Sequence, residues 1–258
     1  MPDFSRYFQS ETGLAQGRLK WLKAFVDLLF PPVCILCGVS TVRNDPECLC
    51  GRCWLQIEYV QPPLCACCGG MLSGNPAHNH LCGPCRRNPP YFSLARSSIR
   101  YDQPVARLLH RLKYHGDTTV LPALRRIIAH WPAELPGDFD LIVPVPLYVS
   151  RLRQRGFNQA EILAREYFPD RKKDIRSDLL RRRRDTGTQI SLSGAARRNN
   201  LRSAFQADDG GGVRGKRICL VDDVYTTGTT VNECAKALLD GGADEVRVLT
   251  LARVVMRH

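Results

Sequence analysis

The chain has 258 residues, with 37 Lys+Arg against 25 Asp+Glu for a formal charge of +12, and 44% of its residues are apolar. That apolar share can fill a core, which excludes general disorder, and at roughly 100–200 residues per domain the length accommodates one or two domains. No run approaches the roughly 18–20 uninterrupted apolar residues of a membrane span, and the N-terminus lacks the pattern of a signal peptide, so the expectation is a cytoplasmic protein with no membrane span.

Residues 1–18 are mixed polar and read as a loose arm. Leu19–Phe30 then spaces Trp21, Leu22, Phe25, Val26, Leu28 and Leu29 as a short amphipathic helix, stopped by Pro31-Pro32. Such a helix packs on the rest of the chain or docks on a membrane surface or a partner.

Ten of the 12 cysteines precede residue 86, and the stretch that holds them is rich in Gly, Pro and Asn, so it needs a staple other than an apolar core. A reducing cytosol keeps thiols free, and repeated Cys-x-x-Cys units then point to metal. Four such knuckles are present: Cys34/Cys37, Cys50/Cys53, Cys65/Cys68 and Cys82/Cys85. Each turns two sulfurs toward one ion and two knuckles close a tetrahedron, so these eight residues are expected to hold about two structural zinc ions. The spacing does not decide whether the knuckles pair sequentially or interleave. Cys48, Cys67, His78 and His80 sit beside them and are surplus to two four-thiolate sets. A closed four-thiolate site leaves no position for water, so the region scaffolds or binds rather than catalyses. The division expected is an arm and helix over 1–33, a zinc-binding region over 34–88 and an α/β domain over 95–258.

Beyond Pro89-Pro90 the texture becomes regular. Ala95–Tyr101 alternates like a strand, Pro104–Tyr114 and Leu121–Trp131 have helical spacing, and Leu141–Val145 reads as a buried strand. A basic loop leads into a helix over Asn158–Tyr167. Asp174–Ser203, with Arg181 to Arg184 in a row, reads as a mobile basic loop followed by a short helix. Arg217–Val221, Thr229–Asp240 and Glu245–Ala252 make strand, helix and strand, a βαβ unit that implies a parallel sheet.

The most informative segment is Arg217–Thr230, RICLVDDVYTTGTT. A buried strand delivers Asp222 and Asp223 to the edge where open α/β sheets bind ligands, and a small-residue loop then opens a helix. Thr226, Thr227, Gly228, Thr229 and Thr230 can offer backbone N–H groups and hydroxyls to a phosphate at the positive end of that helix. The carboxylates would repel the phosphate, and are better used accepting hydrogen bonds from two sugar hydroxyls of the same ligand. A P-loop pattern is absent, and Gly210-Gly211-Gly212 precedes a strand rather than following one.

This pattern resembles the signature of type I phosphoribosyltransferases, in which the acidic pair holds the ribose hydroxyls of phosphoribosyl pyrophosphate (PRPP) and the loop holds its 5′-phosphate. With Leu112-Lys113-Tyr114, PVPL at 144–147, Arg151 to Gln159, Thr186, Gln189, Leu192-Ser193, Arg197, Asn200 and Phe205, nearly the whole chain is similar to the ComF family. These are GntX-like, competence-associated proteins with a zinc region before a phosphoribosyltransferase domain. Ala196 departs from the Glu of many relatives. The resemblance implies a type I phosphoribosyltransferase sheet flanked by helices, a small zinc-ribbon-like domain, and Mg²⁺–PRPP as ligand. It implies a pyrophosphate loop containing Val145, Arg155, Asn158 and Gln159, and a hood over 174–203 whose contacts include Thr186, Gln189 and Arg197. From the residues alone, Arg151, Arg153 and Arg155 suit either a pyrophosphate or a solvated basic face.

Two functions are compatible with these features. In one, the protein transfers a phosphoribosyl group to an acceptor that the sequence does not specify, with no residue identifiable as a catalytic base. In the other, it is a non-catalytic protein that binds single-stranded DNA alongside other competence proteins, its charge attracting the phosphate backbone and its PRPP pocket regulatory or vestigial.

Overall fold

The computed structural model describes residues 32–41, 49–74, 80–131, 138–184 and 204–255. The helix expected at Leu19–Phe30 lies outside them. Two compact units divide the chain, Met1–Trp54 and Leu55–His258. The first contains a short helix, α1 (Gly51–Trp54), after a turn closed by Val33 pairing with Ser40.

In the second unit, α2 (Gly83–Arg87) precedes a four-stranded sheet ordered β1 (Leu94–Arg100), β6 (Glu245–Arg253), β5 (Arg217–Tyr225), β2 (Leu141–Pro144). Every adjacent pair is parallel. The central strand β5 is a near-continuous apolar run that stays buried from Ile218 to Val221, as a strand covered on both faces requires. Helices supply the cover: α6 (Gln159–Tyr167) packs on β2 and β5, and α7 (Thr229–Asp240) on β5 and β6.

Local chemistry sets the helix ends. Asp102 accepts from Val105 N to cap α3 (Gln103–His115), which ends at Gly116 with φ 58°. A single 3-10 turn, Thr118–Val120, leads into α4 (Leu121–Ala129). Asn158 caps α6 through a bond from Ala160 N.

Two expectations change. The basic loop before Asn158 is a helix, α5 (Val149–Arg155), so Arg151, Arg153 and Arg155 point around it rather than converging. The stretch from Asp174 is not wholly loop: Leu180–Arg182 forms β3, antiparallel to β4 (Phe205–Ala207). A three-residue strand has no periodicity of its own and depends on its partner.

The sheet register positions the site. Pro144 pairs with Val221, and Val145 N donates to Val221 O at 2.8 Å. The chain leaving β2 therefore emerges beside Asp222 and Asp223, while β5 runs on to Tyr225.

Candidate functional site

The eight knuckle cysteines form two clusters paired sequentially: Cys34, Cys37, Cys50 and Cys53, and Cys65, Cys68, Cys82 and Cys85. Within each, the sulfurs all lie within 4.8 Å of one another. In a tetrahedron with Zn–S bonds of about 2.3 Å, neighbouring sulfurs stand about 3.8 Å apart. Cys37 Sγ is 3.6 Å from Cys50 Sγ, and Cys68 Sγ is 3.7 Å from Cys82 Sγ. Donor type, number and spacing thus fit one structural zinc per cluster. Burial pushes the Cys34 and Cys65 thiols up, but backbone N–H groups aimed at the sulfurs outweigh it and bring them down to about 6 and about 7. Cys82 N, for example, donates to Cys65 Sγ at 3.3 Å. Neither cluster includes Cys67 or His80; Cys48 and His78 lie outside the described residues.

The second cluster is built into the core of the larger unit. Cys65, Cys68 and Cys85 share one buried cluster with Phe92, Ala95 and Tyr225. Ala95 N donates to Cys67 O at 2.7 Å, so this cysteine turn is bonded directly to β1.

At the carboxyl edge of the sheet, β5 runs through Tyr225 and carries Asp222 and Asp223 on the strand itself, not beyond its end. Asp222 Oδ1 accepts from Asp223 N at 2.8 Å. Asp223 is 6% exposed and Asp222 half-buried. Lys113 Nζ, from the last turn of α3, lies 2.5 Å from Asp223 Oδ2. Burial works against the charge on Lys113, but the Asp223 and then the Asp222 carboxylates outweigh it and hold the ammonium above its ordinary range. The Asp222 carboxyl is pushed up to about 7, first by burial and then by the charge of Asp223, with Lys113 and Arg182 opposing.

Thr226 and Thr227 are exposed after β5, and Gly228, at φ 76°, opens α7. A Cβ at Gly228 would run into Tyr225 Oη, so glycine is required there twice over, by backbone angle and by space. The first-turn N–H groups of Thr229 and Thr230 have no carbonyl a turn earlier in the helix, the arrangement that attracts anions. Thr227 Oγ1 lies 2.8 Å from Thr229 Oγ1, which sets both hydroxyls at the same mouth. The loop forms one wall of a cavity of about 880 Å³ that also touches Tyr91, Phe92 and Phe205.

The expected pyrophosphate-loop residues adjoin this site through α3. Arg155 stacks over the Tyr114 ring at 5.2 Å and donates to Gln159 Oε1 at 3.1 Å. Asn158 donates from Nδ2 to Val145 O at 3.0 Å while its Oδ1 caps α6, so it ties the β2 exit to the helix behind it. Gln159 is buried. A second cavity, of about 680 Å³, lies between Pro146, Leu147 and Asn158 on one side and Arg181 to Arg183 on the other. Thr186, Gln189 and Arg197 lie outside the described residues.

Comparison with known proteins places this geometry. Residues 25–88 match the double zinc ribbon domain and residues 123–255 the phosphoribosyl transferase domain. "DNA utilization protein YhgH" of Escherichia coli O157:H7 is 34% identical over 88% of this chain and 100% of its own length. "Competence protein F" of Haemophilus influenzae is 35% identical, over 85% of this chain and 96% of its own. The chain belongs to the ComF family. "Competence protein ComFC" of Streptococcus pneumoniae is a further relative, 29% identical over 85% of this chain and 99% of its own. A solved structure titled as the allosteric regulatory enzyme of purine biosynthesis shares 26% identity over 49% of this chain and 24% of that one; its TM-score of 0.31 is too low to support an inference.

In this ComF-family protein, then, two four-cysteine sites stand with a phosphoribosyltransferase domain whose sheet is parallel and flanked by helices. Among the described residues no helix is long and apolar enough to cross a membrane. Sequence reasoning did not place Lys113 in the site, although it lies in a segment the family resemblance had picked out. A lysine ending an amphipathic helix gives no signal of its own, and its carboxylate partner is remote in sequence.

Proposed function

We propose that the protein binds Mg²⁺–PRPP at the carboxyl edge of β5 and β2 and transfers its phosphoribosyl group. The observation that carries this reading is the acidic pair on β5, with Asp223 held by Lys113, followed by the Thr226-Thr227 turn into the left-handed Gly228 that opens α7. Two carboxylates and an N–H-rich loop at one strand end suit a sugar phosphate, whose hydroxyls are donors and whose phosphate is an acceptor. Asp222 and Asp223 would accept from the ribose 2′- and 3′-hydroxyls, and Thr226 to Thr230 would hold the 5′-phosphate. Arg155, with the Val145–Gln159 segment, would face the pyrophosphate, and Thr186, Gln189 and Arg197 would close over it.

In that pose the bond from the anomeric carbon to the pyrophosphate oxygen breaks as the acceptor approaches, through an oxocarbenium-like transition state. The leaving group keeps the bonding electron pair, so cationic groups beside it lower the barrier. Mg²⁺ on the ligand would supply further neutralisation there. Calorimetry with PRPP, with and without Mg²⁺, tests the reading; wild-type-like binding by Asp222→Asn with Asp223→Asn, in a folded protein, overturns the ribose assignment.

A second reading has the protein bind single-stranded DNA, with other competence proteins, while the pocket only senses PRPP. It is favoured by the +12 charge and by the relatives' names, which speak of DNA utilization and competence. Pyrophosphate release from PRPP on adding candidate acceptors, single-stranded DNA among them, separates the two readings.

A further inference from the structure

Tyr225 ends β5 and Arg253 ends β6, and the two are register partners across the sheet. The Arg253 guanidinium lies over the Tyr225 ring, 4.7 Å from its centroid, and is 6% exposed. Its Nη1 donates to the carbonyl of Cys68 at 2.7 Å. Val254 N donates to Tyr225 O at 2.9 Å, which pins the end of β5 from the same side. Phe92 meets the Tyr225 ring edge-on, with centroids 6.4 Å apart, and its own carbonyl lies 3.8 Å from Cys67 Sγ. The Tyr225 hydroxyl in turn fills the space where a side chain at Gly228 would stand. A continuous set of contacts thus runs from the second cysteine cluster to the first turn of α7.

Charge supports the same connection. Four thiolates on one Zn²⁺ leave a net charge of −2, which a buried site must balance. Arg253 and Arg96 are both within electrostatic reach of these thiolates. Arg96 donates instead to Ala95 O on β1 at 2.9 Å and to Ala66 O in the cysteine turn at 3.5 Å. The two arginines therefore share the charge, while Arg253 also grips the aromatic ring under the loop.

We propose that Arg253 is a positioning residue for the Thr226–Gly228 loop, clamping Tyr225 beneath Gly228 and tying the loop to the cysteine turn of the Cys65, Cys68, Cys82 and Cys85 cluster. The inference deepens the phosphoribosyl-binding reading of the same loop, but its first readout needs no ligand.

Amide hydrogen exchange of residues 226–230 in the full chain, with bound zinc measured on the same samples, provides the test. Arg253→Met is expected to speed exchange there by about tenfold while zinc stays near two per chain. Mg²⁺–PRPP affinity should weaken by about tenfold in parallel, since a displaced loop misplaces its N–H groups. Arg96→Met, which removes the same charge, should lower zinc affinity and leave loop exchange unchanged while the metal is bound. Should Arg253→Met lose its zinc or fail to fold, Tyr225→Leu breaks the contact while sparing the bond to Cys68, and the loop should loosen with zinc retained. Unchanged exchange in a zinc-loaded Arg253→Met or Tyr225→Leu protein overturns the proposal, as does equal loosening by Arg96→Met. If the wild type does not bind PRPP but loop exchange responds as described, the ligand reading fails and the coupling stands.

Discussion

Lys113 Nζ stands 2.5 Å from Asp223 Oδ2, joining the last turn of a helix to the edge of the central strand. Asp223 is 6% exposed and the Lys113 side chain 23%, so the pair is largely shielded from solvent. Removing one member of such a pair leaves the other buried without compensation, which costs more than the intact pair contributes. The same contact orients α3, whose next residue, Tyr114, receives the Arg155 guanidinium. Asp223 and Arg155, which the proposed binding mode sets on the ribose and the pyrophosphate, are therefore both held by one helix end.

Lys113→Met is expected to destabilise the protein by about 3 kcal/mol at pH 8. Urea unfolding at pH 8 measures it; a loss under about 1 kcal/mol would show that Lys113 contributes packing rather than a buried charge.

Asp222→Asn should act in the opposite direction. The Asp222 carboxyl is raised from an ordinary 3.8 to about 7 in the folded chain. A raised acid leaves stability intact below its unfolded value and erodes it as pH rises toward the folded value. The asparagine variant should therefore be more stable than wild type at pH 8, by on the order of a few kcal/mol, and nearly equal to it at pH 4. Its PRPP affinity should fall, so stability and binding would move apart. Thermal melts across pH and calorimetry at pH 8 decide both halves.

Much of this arrangement was legible in the sequence, for identifiable reasons. The knuckle spacing specified the eight cysteine ligands, and the helices expected at Pro104–Tyr114 and Thr229–Asp240 formed where the apolar spacing put them. Val149–Arg155 was not legible as a helix, because a run of Ser, Arg and Gln has no continuous apolar stripe; its cap, Gly156 at φ 76°, was the available signal. Leu180–Arg182 was missed because its strand character comes from pairing with Phe205–Ala207, a contact no local pattern encodes. Knuckle pairing was open for a similar reason: spacers of this length permit either solution, and the tertiary contacts of Cys65, Cys68 and Cys85 with the sheet core select one.

Purified protein should carry about two zinc ions per chain. Cys37→Ala and Cys82→Ala should each remove about one. Elemental analysis under reducing conditions measures the metal, and folded protein with a content near zero would show that the clusters are held by packing alone.

Gly228→Ala should raise the dissociation constant for PRPP by at least about tenfold, since a Cβ there forces Tyr225 aside and disfavours φ 76°. Calorimetry with Mg²⁺–PRPP reads the effect. Wild-type affinity in the alanine protein would mean that the loop does not contact the phosphate.

The basic run separates the two functions, and the fold shows how to divide it. Arg182 stacks over Phe205 at 5.5 Å and lies within the field of Asp222, so it belongs to the wall of the site. Arg181, Arg183 and Arg184 are exposed, and the ion pair of Arg181 with Asp208 is 3.6 Å long with the arginine side chain 72% exposed. Such a pair contributes little to the fold. Replacing Arg181, Arg183 and Arg184 by Gln should leave the melting temperature nearly unchanged. If single-stranded DNA is a partner, the slope of log affinity against log salt should flatten by roughly 0.7 for each phosphate no longer neutralised, whatever the base sequence. Mg²⁺–PRPP affinity should stay close to wild type, because the arginine that faces Asp222 remains. A triple variant with an unchanged DNA slope and weakened PRPP binding would assign the run to closure over the ligand, and no change in either titration would make it ordinary solvated surface.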